Sequence, residues 1–485
     1  MLAYAFAFQG VRGVWDPDEG RYCAAALEMI RTGDYIHIQL PTGHPHYTKP
    51  PCTYWLLAAS MKYLGANEFA ARLPNSLVFW GTCLLLWGLG RRFTPTQEWL
   101  PAIVYASSVL TVVAAHIITT DTILAFFEVL AVFAFLSCRT AKGRLQQHLF
   151  VWLMWAAFGA AFLTKGPPGL LPLLPILVFS CIADGLKRTL LRVAHPGILA
   201  FLVIGFGWFI VIIRSDPFLL NYFIQREVVA RVASGVHNRN PEWYAGFIIY
   251  APTLLVGCLP WVKPFLTGLA RAPRFCRWDR WREISRTDPI GLFLILWFLL
   301  PMAVLFFSRS RMFLYVVPFY APVALLMAKA MEQRSHTWGR RIGLLIVIWC
   351  CFVSTWRIAS ARVLDDKNTR YFAQTIQERV NFPFHEIVFV DTQPRYALNF
   401  YLHTEIERVS LREVYPSKRE GGYESLLAEL QEPDGADMSI YILKEEHSTE
   451  FERAAVKYGY SPILLGQWDE FRVYSLRPTG GAAPL

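Results

Sequence analysis

Asp18, Arg21 and Tyr22 have a spacing that could support chemistry. They lie in the segment WDPDEGRY and are three and four residues apart, so on a helix they share one face. A carboxylate on such a face can act as a general base, and an arginine beside it can hold an anion. An acid in the first turn of a helix also complements the helix dipole, and this alternative stays open for Asp18.

The same segment carries the signals of a helix start. Asp16 before Pro17 is typical of an N-cap with proline at the first helical position, and Glu19 has the spacing of a capping box. Gly33 suits the end of this helix. We therefore interpret Asp16 as a cap, whereas Glu19 could serve the cap or a site.

Lys49 stands before two prolines in HPHYTKPPCTYW, a segment that the prolines fix in an extended form. Its ammonium group could reach one defined point, or it could anchor the following helix at the membrane interface. His44 and His46 are two residues apart and could share a metal ion, but plain polar loop residues are the more common case. We expect no cofactor, with a divalent metal ion as the less favoured alternative.

Single charges also interrupt the apolar stretches further along the chain. Asp121 in TTDTILAF suits a helix cap or a site, and Lys165 lies in FLTKGPPG. Arg309 and Arg311 lie in FFSRSRMF. The loop 214–244 adds Arg226, Glu227, Arg231, His237 and Arg239. Such a collection of cations suits the phosphate of a lipid headgroup.

The composition of the chain is that of a membrane protein. Only 17% of its 485 residues are charged and 54% are hydrophobic, against about 25% charged in soluble domains. Long continuous apolar runs exclude an ordinary soluble enzyme, a disordered chain and a transmembrane β-barrel. The apolar start at 1–8 is too short to span, and 53–64 is expected to lie at the interface as an amphipathic helix. Full spans are predicted at 73–90, 99–118, 122–138, 149–163, 167–183, 197–213, 245–262, 289–307, 313–330 and 342–359.

The connections between the spans predict the orientation. The basic connections are those around 91–92, 139–144, 187–192, 263–286 and 329–341. With the predicted spans they all fall on one side, which the positive-inside rule assigns to the cytoplasm. All candidate site residues then lie on the other side, so the net charge of +10 reflects orientation and not nucleic-acid binding.

The C-terminal part differs in kind from the rest. Residues 360–485 hold 14 Lys or Arg against 20 Asp or Glu, whereas the first 359 residues hold 33 against 17. Strand-like runs at 386–391 and 438–444 alternate with helical patterns at 395–403, 423–431 and 449–458, and a hairpin is expected at the end. We predict a transmembrane domain at 1–359, with outer-face juxtamembrane helices at 17–64, and a small soluble α/β domain at 360–485 with a docking or lid role.

Five motifs occur in order from about residue 12 to 335: PDEGRY, KPPCTYW, TTD, LTKGP and SRSRMFLYVVP. This ordered set closely resembles the polyprenyl-phosphate-sugar-dependent membrane glycosyltransferases. That family includes the bacterial transferases that add aminoarabinose to lipid A, and it is related to the dolichyl-phosphate-mannose protein mannosyltransferases. The resemblance implies a polytopic α-helical GT-C fold of about 11 spans, the first of them short. It also implies the bacterial inner (cytoplasmic) membrane, an active site and C-terminal domain facing the periplasm, and no nucleotide.

The resemblance further implies roles for single residues. The implied catalytic residues are Asp18, Glu19, Asp121 and Lys165; the donor-phosphate residues are Lys49, Arg21, Tyr22, Arg231 and Arg311; and Tyr315 lies at the cavity mouth. Two departures stand out. Thr48 replaces a glutamate that takes part in a metal site of the aminoarabinose enzymes, and 312–314 reads MFL instead of KLP. The cation of that later motif must therefore come from Arg311 or Arg309.

The expected activity is an inverting sugar transfer from a polyprenyl (undecaprenyl) monophosphate carrier. The acceptor could be lipid A, another glycolipid or a protein at the periplasmic face of the membrane. A transporter or flippase of lipid-linked sugars is the alternative, but transporters usually place their charges at mid-membrane, whereas here they gather at one face. A structural membrane subunit would leave the outer cations unexplained.

Overall fold

The computed structural model describes residues 2–41, 43–229, 240–270, 278–332, 340–362, 367–412, 423–431 and 438–479. The chain forms two compact units. The first consists of Met1–Gln9, Thr48–Thr53 and Arg72–Arg357, and the second of Gly10–Tyr47, Tyr54–Ala71 and Ile358–Leu485. The second unit thus contains the PDEGRY segment as well as the C-terminal region.

The described α-helices are numbered here in chain order. The first eleven are α1 (Leu2–Phe6), α2 (Asp18–Thr32), α3 (Cys52–Leu64), α4 (Glu68–Phe93), α5 (Leu100–Ser107), α6 (Val109–Ala115), α7 (Thr120–Thr140), α8 (Arg144–Lys165), α9 (Leu173–Asp184), α10 (Leu186–Val193) and α11 (Ile198–Ser215). The others are α12 (Phe218–Asn221), α13 (Ala245–Gly257), α14 (Val262–Ala270), α15 (Trp281–Thr287), α16 (Pro289–Phe307), α17 (Tyr320–Glu332), α18 (Arg340–Arg362), α19 (Thr369–Arg379), α20 (Ala397–Leu402), α21 (Leu426–Glu429) and α22 (Ser448–Lys457).

Within the described residues, eight helical segments have the length and apolar composition needed to cross a membrane. They are Glu68–Phe93, Thr120–Thr140, Arg144–Lys165, Pro167–Asp184, Ile198–Ser215, Pro289–Phe307, Phe313–Glu332 and Gly343–Arg362. Each contains most or all of one predicted span. The chain is therefore a multi-pass membrane protein, as its composition predicted.

Two predicted spans differ from the observed helices. The run 99–118 is divided into α5 and α6 at Ser108, whose backbone is extended, with ψ 132°. The hydroxyls of Ser107 and Ser108 donate to backbone carbonyls one turn back, which is a local competitor of regular helix structure. The run 245–262 gives only the 13-residue helix α13, which ends two residues before the chain reaches Leu259 and Pro260.

Helices α7 and α8 position one part of the candidate site. They are antiparallel neighbours, because a connection of only three residues, 141–143, joins them and they pack along their length. The first turn of α7 therefore lies beside the last turn of α8. Small residues let the next helix approach closely, since a Cβ at Gly159 of α8 would lie 3.2 Å from the Cα of Phe201 in α11.

The second unit contains a six-stranded sheet. Its strands are β1 (Glu386–Val390), β2 (Glu405–Ser410), β3 (Glu424–Ser425), β4 (Ser439–Lys444), β5 (Tyr460–Trp468) and β6 (Phe471–Pro478). The order is β3-β2-β1-β4-β6-β5; β1 to β4 pair in parallel, and β5 and β6 form the predicted antiparallel hairpin. The α/β prediction is confirmed, but β2 was missed and the helix predicted at 423–431 is wrong, because β3 and the one-turn α21 occupy most of it.

Alternation along β1 gives the sheet two buried faces. Ile387 and Phe389 pack in one core with α19 and α20, whereas Val388 and Val390 pack in a second core with α21 and α22. The sheet therefore lies between two helical layers. Helix α2 packs against α20 in the same unit, which brings the PDEGRY segment onto the sheet domain.

Candidate active site

The predicted site residues are divided between the two units. Asp18, Glu19, Arg21 and Tyr22 belong to the second unit, and Lys49, Asp121, Lys165, Arg311 and Tyr315 to the first. Arg231 lies outside the described residues.

Asp18 is accessible in the first turn of α2. Its side chain is 62% exposed, and its Oδ1 accepts a hydrogen bond of 2.7 Å from Nη2 of Arg21. The Nε of Arg21 also donates to the carbonyl of Pro17, which fixes the guanidinium over the start of the helix. The half-buried Tyr22 packs on Tyr54, with 5.2 Å between the ring centroids. On the helix face that these residues share, a solvent-accessible acid thus lies beside a cation.

Glu19 is buried and engaged with its own chain. Its two carboxylate oxygens accept from the two Nη atoms of Arg12 at 2.9 and 3.0 Å, and Oε2 also accepts from the backbone N–H of Trp15. These bonds hold the segment that leads into α2. The catalytic role of Glu19 stays a prediction.

Asp16 does not cap α2 as the sequence suggested. The N-cap is Pro17, without a side-chain cap hydrogen bond, and only the predicted C-cap, Gly33 with φ 72°, is confirmed. The buried Asp16 carboxylate instead accepts from the hydroxyl of Thr369 at 2.6 Å and from the N–H of Ala397 at 3.2 Å. Burial raises the pKa of Asp16 to about 6, although these donors favour its charged form. Asp16 therefore fastens the motif to the sheet domain.

Asp121 and Lys165 form a buried ion pair. Asp121 lies in the first turn of α7 and Lys165 is the last residue of α8; Nζ and Oδ1 are 2.5 Å apart, and the side chains are 7% and 9% exposed. Thr119 is the N-cap of α7, and its hydroxyl donates to the other Asp121 oxygen. Asp121 is therefore not the N-cap of α7, which was the alternative interpretation of this residue. The Lys165 ammonium also lies 4.2 Å from the ring centroid of Tyr315.

Glu128 is a buried acid that the sequence analysis missed. It lies seven residues after Asp121 and hence on the same face of α7, and it is only 4% exposed. Asp121 and Lys165 are among its electrostatic neighbours. The available signal was a lone acid inside the apolar run TILAFFEVLAVFAF, which is costly in a membrane and therefore suggests function.

Arg311 is buried and bonded to backbone. Its Nη1 donates to the carbonyls of Asn240 and Glu242, and its Nη2 donates to that of Phe306. Arg309, the other arginine of this motif, is exposed. The assignment of Arg311 to the donor phosphate stays a prediction, and of the two alternatives Arg309 is the accessible cation.

Lys49 is half-buried in the irregular segment before α3, as its two following prolines predicted.

One group in the described residues could hold a metal ion: oxygens of Glu386, Glu407 and Glu429 lie within 4.8 Å of one another. His44 approaches it, with Nε2 3.7 Å from Oε1 of Glu407, whereas the ring of His46 packs edge-on to Tyr54. These two histidines therefore have different partners.

Comparison with known proteins gives a family match and several sequence relatives. Residues 48–212 match the dolichyl-phosphate-mannose-protein mannosyltransferase family. The chain is 30% identical over 334 residues to undecaprenyl phosphate-alpha-4-amino-4-deoxy-L-arabinose arabinosyl transferase 1 of Pseudomonas fluorescens, and 31% identical over 327 residues to the corresponding transferase of Pseudomonas aeruginosa. Each match covers 66% of this chain and 56% of the relative, so it spans a little over half the length of these relatives.

The fold has a solved counterpart. The crystal structure of ArnT from Cupriavidus metallidurans bound to undecaprenyl phosphate matches with a TM-score of 0.75 and 21% identity, over 100% of this chain and 98% of that one. The same protein in the apo state matches equally well, with a TM-score of 0.75. In sequence and in fold, the chain is related to the polyprenyl-phosphate-sugar-dependent membrane glycosyltransferases and has their GT-C architecture.

Proposed function

We propose that the chain is a glycosyltransferase that moves a sugar from an undecaprenyl monophosphate carrier to lipid A or a related acceptor. The observation that carries this proposal is the buried Asp121–Lys165 pair, with the ring of Tyr315 beside the ammonium. Ionisable groups at the end of membrane helices are costly and are retained for function. A transferase that handles a lipid phosphate needs such groups at the membrane boundary.

The relatives support the class of donor. Those from Pseudomonas are named for undecaprenyl phosphate-linked aminoarabinose, and the Cupriavidus structure holds undecaprenyl phosphate. Protein is a second acceptor class, because the matching family is named for protein mannosyltransferases. The acceptor is therefore a question for experiment.

The chemistry is a displacement at the anomeric carbon. An acceptor oxygen forms the new glycosidic bond while the bond from the anomeric carbon to the phosphate oxygen breaks, and the polyprenyl phosphate leaves. Lys49, Arg21 and Arg231 are proposed to stabilise the charge on that phosphate. We propose that Lys165, held by Asp121, adds a fixed positive charge in a region of low dielectric constant.

The role proposed for Asp18 depends on the acceptor. A hydroxyl acceptor needs a base to take its proton, and the exposed carboxylate of Asp18 supplies one. A phosphate acceptor is already a nucleophile, and Asp18 would then position the sugar, for instance a cationic aminosugar. In both cases Arg21 orients the carboxylate.

The proposed location is the bacterial inner membrane. In this proposal the ends of the spans that carry the basic connections lie in the cytoplasm, as the positive-inside rule predicts, and the site and residues 360–485 lie in the periplasm. In this arrangement 1–359 is the transferase domain, and the α/β domain carries the α2 motif through Asp16.

The test is transfer of labelled sugar by the purified full-length chain in lipid nanodiscs. Synthetic undecaprenyl phosphate donors are offered together with lipid A, a glycan or a protein acceptor. We expect transfer to lipid A, with release of one undecaprenyl phosphate per sugar. Binding of the donor without transfer to any acceptor would contradict the proposal.

A further inference from the structure

A separate cavity lies at the opposite end of the membrane unit from the Asp121–Lys165 pair. It has a volume of about 130 Å³ and is lined by residues of α7, α8, α9 and α10. Arg139 of α7 lies at this cavity, and it is eighteen residues after Asp121, which corresponds to about 27 Å along a helix. The cavity is therefore not part of the candidate active site.

The lining of the cavity changes from apolar to polar. Its apolar wall consists mainly of Phe135, Val151, Met154, Leu173, Ile176 and Leu177. Its polar side chains are those of Arg139, Gln147, Ser180 and Thr189. A wholly apolar cavity of about 150 Å³ takes up a molecule of the size of benzene, so the apolar part of this one suits several carbons of an alkyl chain.

The surroundings of the cavity are basic. Arg139 is bonded to Asp184, with 2.5 Å between Nη1 and Oδ2, so that one acid balances one cation. Three further cations are exposed on the elements that line the cavity or on the connection between them. They are Lys187 and Arg188 of α10 and Lys142 of the connection between α7 and α8. The excess of positive charge at this end suits an anionic headgroup.

Helix α10 links the cavity to the lipid. Thr189 and Val193 line the cavity, whereas Leu186 and Leu190 of the same helix are 64% and 57% exposed. Exposed leucines next to exposed lysine and arginine are typical of a helix that lies in the membrane interface. A lipid at this interface could place its headgroup beside α10 and one chain past Thr189 into the cavity.

We propose that this cavity is a binding site for an anionic phospholipid, with part of one acyl chain between α7, α8, α9 and α10 and the phosphate beside Lys187 and Arg188. The proposal does not depend on the transferase function. In the orientation proposed above, the lipid comes from the cytoplasmic leaflet, where anionic lipids are attracted to basic segments.

Cys138 lines the cavity and provides a direct readout. The full-length protein is purified in a steroid-based detergent, which has no flexible alkyl chain, and is titrated with dioctanoyl phosphatidylglycerol or dioctanoyl phosphatidylcholine. Alkylation of Cys138 by a small maleimide is followed by peptide mass spectrometry. The exposed Cys351 of α18 is the internal control.

We expect phosphatidylglycerol to slow the alkylation of Cys138 at lower concentrations than phosphatidylcholine, without an effect on Cys351. Replacing Lys187 and Arg188 by glutamine should raise the phosphatidylglycerol concentration needed by about tenfold or more, since each such cation contributes about 1 kcal/mol. Both side chains are exposed, so this variant is expected to fold.

A second variant tests the cavity itself. Val193→Phe fills the cavity and should abolish the protection, whereas Val203→Phe is the matched control, because Val203 is 72% exposed on α11 and does not line the cavity. Equal protection by the two lipids, or unchanged protection in both the Val193→Phe and the glutamine variants, would overturn the proposal. Slowing of Cys138 and Cys351 together would do so as well, because it would indicate a general detergent effect.

Discussion

At the scale of single residues, the Asp121–Lys165 pair allows stability and activity to be separated. Removing one partner leaves a buried charge, so Asp121→Asn and Lys165→Met should each lower the free energy of unfolding by about 3 kcal/mol. The double variant Asp121→Asn/Lys165→Met leaves neither charge and should regain most of that stability. We expect all three variants to lose sugar transfer by about 100-fold or more, as for loss of a charge-stabilising group.

Thermal unfolding and the transfer assay, performed on the same preparations, check this prediction. A pair with only a structural role would give a double variant that recovers activity together with stability. That outcome would remove Lys165 from the catalytic site.

Replacing Asp18 should reduce activity without reducing stability. Its ion pair with Arg21 is exposed, and such pairs contribute about 1 kcal/mol or less, so Asp18→Asn should leave the melting temperature nearly unchanged. With a hydroxyl acceptor, loss of the base should reduce kcat by about 100-fold to 10,000-fold. Glu446→Gln, another highly exposed acid of the second unit, is the control and should keep full activity. Normal turnover of Asp18→Asn with every acceptor would exclude Asp18 as the base.

At the scale of elements, Asp16 should make the attachment of α2 depend on pH. Burial raises its pKa to about 6 from an ordinary value of 3.8, so the fold favours the protonated form. The protonated carboxyl therefore contributes ~3 kcal/mol to the free energy of unfolding. This contribution is complete below about pH 4 and is lost as the pH rises through about 6. Arg395 and Arg21 are the cations near this carboxyl and oppose the shift.

Hydrogen exchange of α2 and α20, measured from pH 4 to pH 7, tests this dependence. We expect protection to fall with rising pH in the native chain and to be flatter in Asp16→Asn, which keeps the shape of the neutral acid. Thr369→Val removes one donor to the charged form, which raises the pKa of Asp16 further and should make the total fall larger. A pH profile that is the same in Asp16→Asn and the native chain would contradict the assignment.

The two arginines of the SRSR motif should also differ in their effects on stability and on donor binding. Arg311→Met leaves three carbonyls around the end of α16 without their donor and should destabilise the fold by about 1–3 kcal/mol. Arg309→Gln removes an exposed cation and should leave the melting temperature unchanged, while it raises the KM for the undecaprenyl phosphate donor. Kinetics with varied donor concentration separate the two; a raised KM in Arg311→Met alone, at unchanged stability, would reverse our interpretation.

The elements themselves were largely predictable from the sequence. A membrane helix satisfies its own backbone and needs a long apolar run, so hydropathy locates it without knowledge of its neighbours. The break at Ser108 was not visible in hydropathy, because it depends on hydroxyls that compete for backbone carbonyls. Strand β2, with the sequence EIERVS, was missed because its two acids and its arginine hide the alternation of apolar and polar residues.

The contacts of Asp16 show why site residues are harder to interpret than helices. Locally the residue has every feature of a cap, but its partners Thr369 and Ala397 lie more than 350 residues away in the chain. Arg311 was likewise assigned from its charge, whereas its bonds go to backbone carbonyls. Charge and spacing identify candidates, and only tertiary contacts distinguish a structural from a catalytic group.

At the scale of the whole molecule, the chain combines a helical membrane unit with a unit built around a mixed sheet. The predicted acid and cation of α2 belong to the second unit, and the buried pair of α7 and α8 to the first. In the proposed function Asp18 acts on the acceptor or the sugar, whereas Arg21, Lys49 and Lys165 supply positive charge for the carrier phosphate.

The most direct test of this account is the stoichiometry of a single turnover by the full-length chain in nanodiscs. The donor carries a radiolabelled sugar on undecaprenyl phosphate, and lipid A is the acceptor. We predict that labelled lipid A and free undecaprenyl phosphate form in equal amounts, with inversion at the anomeric carbon, and that neither forms in Asp121→Asn/Lys165→Met. Release of undecaprenyl phosphate without labelled lipid A, or equal turnover by that double variant, would contradict it.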